Sequence, residues 1–379
     1  MIYLDNNATT RVADEVLTAM SPFYRELYGN AHAIHSLGRR AHDAVEEARA
    51  EVATLVGCDA AEVVFTSCGT EGNAMVLRGL TEQNRDRHRV VTTSVEHPSV
   101  LTLLRALERA GVIDLAIVPV DANGAIDLDR MQVEIDDATL LVSVMLAQNE
   151  TGVIHPVARI AEMAHARGAL LHVDAVQAAG KIPLRQRDLG ADFLTISGHK
   201  FHAPKGVGAL TIRHGLKLQP LWYGGGQELG MRSGTEPVPS IVGLAAAARL
   251  AREAQATYGH VVALRDRLES AIREHVPSTS VNGVTQPRLG NTANIAFHGV
   301  AADEMVRALD AEGICVSAGA ACHSGTVEPS GTMKAMGLPL NVAMGAVRFS
   351  LSRYTTVEEI DRTVEVVTEL RVRTPPVSS

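Results

Sequence analysis

Aromatic residues are scarce in this 379-residue chain, at 3%, so a core has to be built from Ala, Val, Leu and Ile. Cysteine is sparse as well. Cys58, Cys68, Cys315 and Cys322 form no C-x-x-C pair, and so few in so long a chain make no disulfide framework; a reducing compartment is expected. Apolar runs such as 241–248 fall far short of the ~20 residues of a membrane-spanning helix. The N-terminus, Met-Ile-Tyr-Leu-Asp-Asn-Asn, turns polar at once and lacks the basic start and apolar stretch of a signal peptide. The expected location is the cytoplasm. No basic block is present either: Arg85, Arg87 and Arg89 are interleaved with Glu82 and Asp86, and the net charge is −8. Neither nucleic acid nor membrane is expected as a partner.

What remains is an ordinary globular balance, 46% hydrophobic and 21% charged, in a chain long enough for two domains. Short runs rich in Val, Ile and Leu predict strands at 63–66, 90–94, 115–118, 140–144, 170–173, 193–196 and 209–212. Amphipathic stretches between them predict helices, among them 41–56, 99–110 and 157–167, with Gly111 and Gly168 closing the last two. The alternation implies parallel β/α units covered by helices on both faces. After Gly234 the pattern changes. A long helical stretch at 240–274, short strands near 294–297 and 346–350, and a helix at 358–372 predict a smaller α+β domain; the tail after 373, with two prolines, is expected to fray.

The chemistry-bearing residues cluster where these strands end. Ser197-Gly198-His199-Lys200 follows a strand, and open α/β sheets bind ligands at that edge. Ser197 and His199 offer donors to a phosphate, and Lys200 offers an amine to an aldehyde, provided burial and neighbouring cations lower its pKa. Alone, Lys200 reads as a surface lysine. It is joined by Asp174, at the end of Leu170-Leu171-His172-Val173; pyridoxal phosphate (PLP) needs an acidic partner for its pyridine nitrogen, although an Asp there also suits a helix N-cap. Gln177, three residues on, offers a hydrogen bond to the ring hydroxyl. Ser67-Cys68-Gly69-Thr70 leads from a strand into a helix, a helix start suited to phosphate. His97 follows another strand and reaches the same edge. Together these imply PLP held on Lys200.

With these residues in hand, the chain resembles the cysteine desulfurases, fold-type I PLP enzymes of the class-V aminotransferase group, in their NifS/IscS-like branch. The resemblance runs nearly end to end: Tyr3-Leu-Asp-Asn-Asn-Ala-Thr-Thr10, Glu96-His-Pro98, Gln148-Asn-Glu-Thr-Gly152, His172-Val-Asp-Ala-Val-Gln177, Ser197 to Gly208, Gly224-Gly-Gly-Gln-Glu, Met231-Arg-Ser-Gly-Thr235 and Ala320-Ala-Cys322. It implies an α/β fold, with a large domain over 15–250 built on a mostly parallel seven-stranded sheet. A small α+β domain over 1–14 and 251–379 would carry a nucleophile loop at about 317–338. It implies that Lys200 bears PLP, Asp174 pairs with the ring nitrogen, Gln177 meets the ring oxygen, and Gly69, Thr70, Ser197 and His199 hold the phosphate. His97 would stack on the ring and move protons. Asn149 and Arg353 would hold the substrate carboxylate. Thr235 would reach the phosphate of a neighbouring subunit, making the active unit a homodimer. Cys322 would be the nucleophile, taking sulfur from L-cysteine as a persulfide, releasing alanine and passing sulfur to an acceptor such as an iron–sulfur scaffold. From the residues alone Cys68, Cys315 and Cys322 are near equals; Cys315, in Ile-Cys-Val, is expected in the core, and Cys68 beside the phosphate turn.

The chain departs from the family pattern at Gly29-Asn-Ala-His-Ala-Ile-His35, where Gly-Asn-Pro-Ser-Ser is usual, at Cys68, where Gly is usual, and at Ala-Gly-Ala-Ala-Cys322, which lacks two hydroxyls. None removes a catalytic group. His32 and His35 lack companion ligands at metal spacing, so no intrinsic metal is expected; a persulfide on Cys322 would at most ligate a scaffold's cluster in passing. Rival readings are an aminotransferase, which the Cys322 loop disfavours, a selenocysteine lyase using the same contacts, and a PLP-bound scaffold without catalysis, disfavoured by Lys200 and Cys322 together.

Overall fold

The computed structural model describes residues 1–82, 84, 86–255, 258–319 and 328–373. Cys322, the middle of the expected nucleophile loop, Arg85 and the tail after 373 lie outside the described residues.

The strands, in chain order, are β1 (Ile2–Tyr3), β2 (Val63–Thr66), β3 (Arg89–Thr93), β4 (Asp114–Val118), β5 (Thr139–Met145), β6 (Leu170–Asp174), β7 (Phe193–Ser197), β8 (Gly208–Ile212), β9 (Thr279–Val281), β10 (Thr292–Phe297), β11 (Ile314–Cys315), β12 (Ser317–Ala318) and β13 (Ala346–Ser350). A seven-stranded sheet has the order β2-β8-β7-β6-β5-β3-β4. Only β8 runs against its neighbours, antiparallel to both β2 and β7, so the expected mostly parallel sheet is observed. Every residue of β2, β5, β7 and β8 is buried. Strands covered on both faces have no solvent side on which to alternate, and their sequences read as unbroken apolar runs.

Successive side chains of a strand point to opposite faces, and the sheet separates two cores accordingly. Val63, Phe65, Leu194, Ile196 and Ala209 join the helices Ser36–Val56, Val157–Ala166 and Val238–Gln255 on one face. Val64, Phe193 and Leu210 join Gly69–Thr81 and Pro98–Arg109 on the other. Phe193 is fully buried, and its truncation to Ala would cost about 3–5 kcal/mol. The helix Val238–Gln255 is alanine-rich along its buried face and packs closely on Ser36–Val56.

The expected helical stretch 240–274 is two helices, Val238–Gln255 and Gly259–His275. A third core gathers Leu4, Leu264, Ile272, Phe297 and Phe349 around a small antiparallel sheet, β12-β13-β10-β9, under the helices Gly259–His275, Ala302–Ala311 and Val357–Arg373. The N-terminal segment enters this unit by pairing β1 with β11. It then crosses to the large sheet, where Thr10 N donates to His199 O at 2.9 Å. Cys315, expected in the core, is only half-buried, because β11 pairs with β1 alone. No described helix is long and apolar enough to cross a membrane.

Candidate active site

The strands β2, β3, β5, β6 and β7 run in one direction, so the residues just after them meet at one sheet edge. A cavity of about 170 Å³ opens there, lined among others by Thr70, Asn73, His97, Asn149, Asp174, Gln177, Ser197, His199 and Lys200. The structure thus brings together Gly69, Thr70, His97, Asn149, Asp174, Gln177, Ser197, His199 and Lys200, residues drawn from five separate stretches of sequence.

Lys200 ends a short 3₁₀ turn, Gly198–Lys200, that follows β7. Its Nζ donates to Asn7 O at 2.6 Å and Ala8 O at 2.8 Å. Burial, with Arg348 adding to it and Asp174 and Asp5 opposing, lowers its pKa to about 8. Asp174 ends β6 and is buried; its Oδ2 accepts from Asn73 Nδ2 at 2.8 Å and its Oδ1 from Val176 N at 3.0 Å. His97 caps the helix Pro98–Arg109, its Nδ1 accepting from Ser99 N at 3.1 Å. The neutral ring therefore carries its proton on Nε2. The ring is exposed at the cavity mouth and packed on its inner side; that partial burial lowers its pKa against the pull of Asp174, and Lys200 adds to the lowering. His199 is held by Thr9 Oγ1 at 3.1 Å, and burial, then Lys200, Lys205 and Lys181, lowers its pKa to about 4.

The residues fit PLP. Ser197 Oγ is buried with no hydrogen-bond partner among the described residues, a donor awaiting an acceptor. It faces the same cavity as the start of the helix Gly69–Thr81, whose free N–H groups suit a phosphate. Gly69 is needed there, since a Cβ would lie 2.7 Å from Val176 Cγ2.

Other expected site residues lie apart. Arg353 lines an adjoining cavity with Lys181, Lys200 and Tyr258, and donates to Leu250 O at 3.2 Å and Tyr354 Oη at 2.8 Å. Thr235 is exposed on the surface. His32 pairs with Glu236 at 2.6 Å and His35 caps the helix Ser36–Val56, accepting from Gly38 N at 3.1 Å. The described neighbours of Cys322, Gly319 and Glu328, line a cleft that also contains His97 and Asn149.

Three residues escaped the sequence reading. Asn73 bridges Asp174 to Ser99 Oγ, at 3.0 Å. Lys181 and Asn7 are buried beside Lys200. A polar residue amid the apolar pattern of a helix was the available signal for Asn73; for the others the contacts join residues some 170 positions apart.

The chain matches the family model "Aminotransferase class-V" over residues 2–363, and that family implies PLP. It is 47% identical to a cysteine desulfurase of Trichormus azollae, over 98% of this chain and 92% of that protein. It is 44% identical to the cysteine desulfurase NifS of Azotobacter vinelandii, over 99% and 94%. Among solved structures, a NifS-like protein aligns with a TM-score of 0.92 at 37% identity, covering 98% of this chain and 99% of that one. The chain belongs to the class-V aminotransferases, within their cysteine desulfurase, NifS-like group.

Proposed function

We propose that the protein acts as a cytoplasmic homodimeric cysteine desulfurase that turns L-cysteine into L-alanine, holds the sulfur as a persulfide on Cys322 and passes it to an acceptor such as an iron–sulfur scaffold protein. The observation that carries this reading is the meeting of Lys200, Asp174 and His97 around one cavity, in a chain so similar to cysteine desulfurases.

PLP, when bound, supplies the electron sink that makes the substrate Cα proton removable. Lys200 would hold it, Asp174 would pair with its ring nitrogen, and Gln177 would meet its ring oxygen. The backbone at Gly69, with Thr70, Ser197 and His199, would take its phosphate. Lys200 Nζ is the base at the substrate Cα, and a pKa of about 8 keeps a useful fraction as free amine near neutral pH. His97 moves a proton at Nε2, since Nδ1 is occupied by Ser99. Asn149 and Arg353 orient the substrate carboxylate from the two adjoining cavities.

Sulfur transfer then breaks the substrate C–S bond and forms an S–S bond. The Cys322 thiolate attacks the substrate sulfur, the bonding pair stays with Cβ, and Cβ gains a proton. Cysteine plus Cys322 thiol gives alanine plus Cys322 persulfide, with no outside oxidant. The cleft shared by Gly319, Glu328, His97 and Asn149 supports delivery of the Cys322 sulfur from that side. The division into a domain over 15–250 and another over 1–14 and 251–379 is supported by the separate core around Leu4, Phe297 and Phe349. The homodimer is supported by exposed Tyr24, Tyr28, Ile34, Trp222, Tyr223 and Leu229, on segments joined by the His32–Glu236 pair.

Purified protein given L-cysteine and a thiol reductant is expected to release alanine and sulfide in equal amounts, and Cys322→Ala to lose both while keeping the yellow cofactor absorbance. Wild-type protein that binds PLP yet releases neither would refute the proposal.

A further inference from the structure

A buried lysine that the proposed reaction does not use adjoins Lys200. Lys181 is 7% exposed, and its Nζ donates to Asn7 Oδ1 and to Gln177 Oε1, both at 2.7 Å. Asn7 is a junction. Its backbone carbonyl accepts from Lys200 Nζ at 2.6 Å and from Gln177 Nε2 at 2.9 Å. Its Oδ1 also accepts from Asn291 Nδ2 at 3.0 Å, and its Nδ2 donates to Thr292 Oγ1 at 2.9 Å and Asn149 O at 3.1 Å. One residue thereby ties the N-terminal segment to β10 through Thr292, to the segment after β5 through Asn149, and, by its backbone carbonyl, to the lysine of the site.

The local sequence explains how Lys181 arrives there. Gly180 has φ +75°, and a Cβ on it would lie 2.7 Å from Phe201 Cβ. Only glycine allows so tight a turn against the residue after Lys200, and the turn returns Lys181 to the site four positions after Gln177. The donor count fits as well. A neutral amine has two N–H groups for these two acceptors, whereas an ammonium would bring a third into a buried space. Burial, with Lys200 and Arg348 nearby, lowers the Lys181 pKa well below its ordinary value. An amide can face either way, but Asn7 O only accepts, so Gln177 Nε2 must face it, which leaves Oε1 for Lys181 Nζ.

We propose that Lys181 is a positioning residue for Lys200: through the Asn7 side chain it holds one of the two carbonyls, Asn7 O, on which the Lys200 amine rests when not bonded to cofactor. The proposal rests on the reading of Lys200 as the cofactor-bearing lysine. A lysine that leaves and rejoins a cofactor stays within reach when its resting acceptors are fixed, and here the nearer of the two, Asn7 O at 2.6 Å, is fixed from the side-chain end of Asn7.

The test follows attachment of PLP to cofactor-free protein by the growth of the yellow lysine-bound absorbance, with Lys200→Ala as the control that should give none and thermal unfolding recorded beside it. Lys181→Met and Asn7→Ala are each expected to slow attachment about three- to tenfold, the effect of one misplaced hydrogen bond. Lys181→Gln, close to Met in size, keeps a donor for Asn7 Oδ1 and is expected to recover part of the Lys181→Met loss. Attachment by Lys181→Met at the wild-type rate overturns the proposal. So does attachment by Asn7→Ala at the wild-type rate, a measurement that decides the matter even where Lys181→Met does not fold. Wild-type protein showing no Lys200-dependent absorbance would instead refute the reading of Lys200 itself.

Discussion

Asn73 Nδ2 donates to Asp174 Oδ2 at 2.8 Å, and donates also to Ser99 Oγ, which contacts His97 Nδ1 at 2.8 Å. The carboxylate expected to face the cofactor ring and the histidine expected to stack on it are therefore aligned by one amide. Asn73→Ala removes a hydrogen bond to a charged acceptor, worth about 1.5–3 kcal/mol, while Val176 N still holds the other oxygen. PLP affinity, measured by absorbance at equilibrium, is expected to fall about tenfold or more.

Lys200 gives a prediction with a pH sign. Its pKa of about 8 lies below the ordinary 10.5, so its reactive amine form grows as pH rises through 8. The rate of PLP attachment to cofactor-free protein is expected to climb with a midpoint near pH 8. By linkage, the unfolded chain binds the extra proton between about pH 8 and 10.5, so this lysine makes the cofactor-free fold gain stability across that window.

His155 is 3% exposed, with both ring nitrogens unpartnered among the described residues, and burial lowers its pKa from 6.5 to about 4. A depressed histidine costs the fold stability as pH falls from 6.5 toward 4, where only the unfolded chain takes up the proton. His155→Phe is expected to flatten that decline, so that at pH 5 the variant gains about 2 kcal/mol relative to its difference from wild type at pH 7. Urea unfolding at the two pH values measures it.

Glu96 behaves in the opposite sense. Burial raises its pKa from 4.5 to about 8, against hydrogen bonds from Met145 N and Thr93 Oγ1, with Asp174 adding to the rise. The folded state holds a proton that the unfolded chain sheds, so stability falls as pH climbs from 4.5 to 8. Glu96→Gln is expected to leave stability at pH 5 within about 1 kcal/mol of wild type and to remove that decline.

These contacts mark where sequence reasoning reached its limit. The strands of the large sheet were legible because fully buried parallel strands read as apolar runs, and Asp174, Ser197 and Lys200 were legible because the ends of such strands define a ligand edge. Asn7, Asn73 and Lys181 meet partners far away in sequence, and no local pattern shows that Lys181 meets Asn7. Cys315 misled because Ile-Cys-Val looks like core, whereas β11 is a two-residue strand with one neighbour.

The most direct test of the account is a single turnover: protein with bound PLP is mixed with less than one equivalent of L-cysteine and no reductant, and alanine and the Cys322 peptide are measured together. The account predicts one alanine for each cysteine consumed and a matching amount of one extra sulfur atom on the peptide containing Cys322. Alanine formed without sulfur on Cys322, or cysteine left unconsumed by protein that binds PLP, would contradict it.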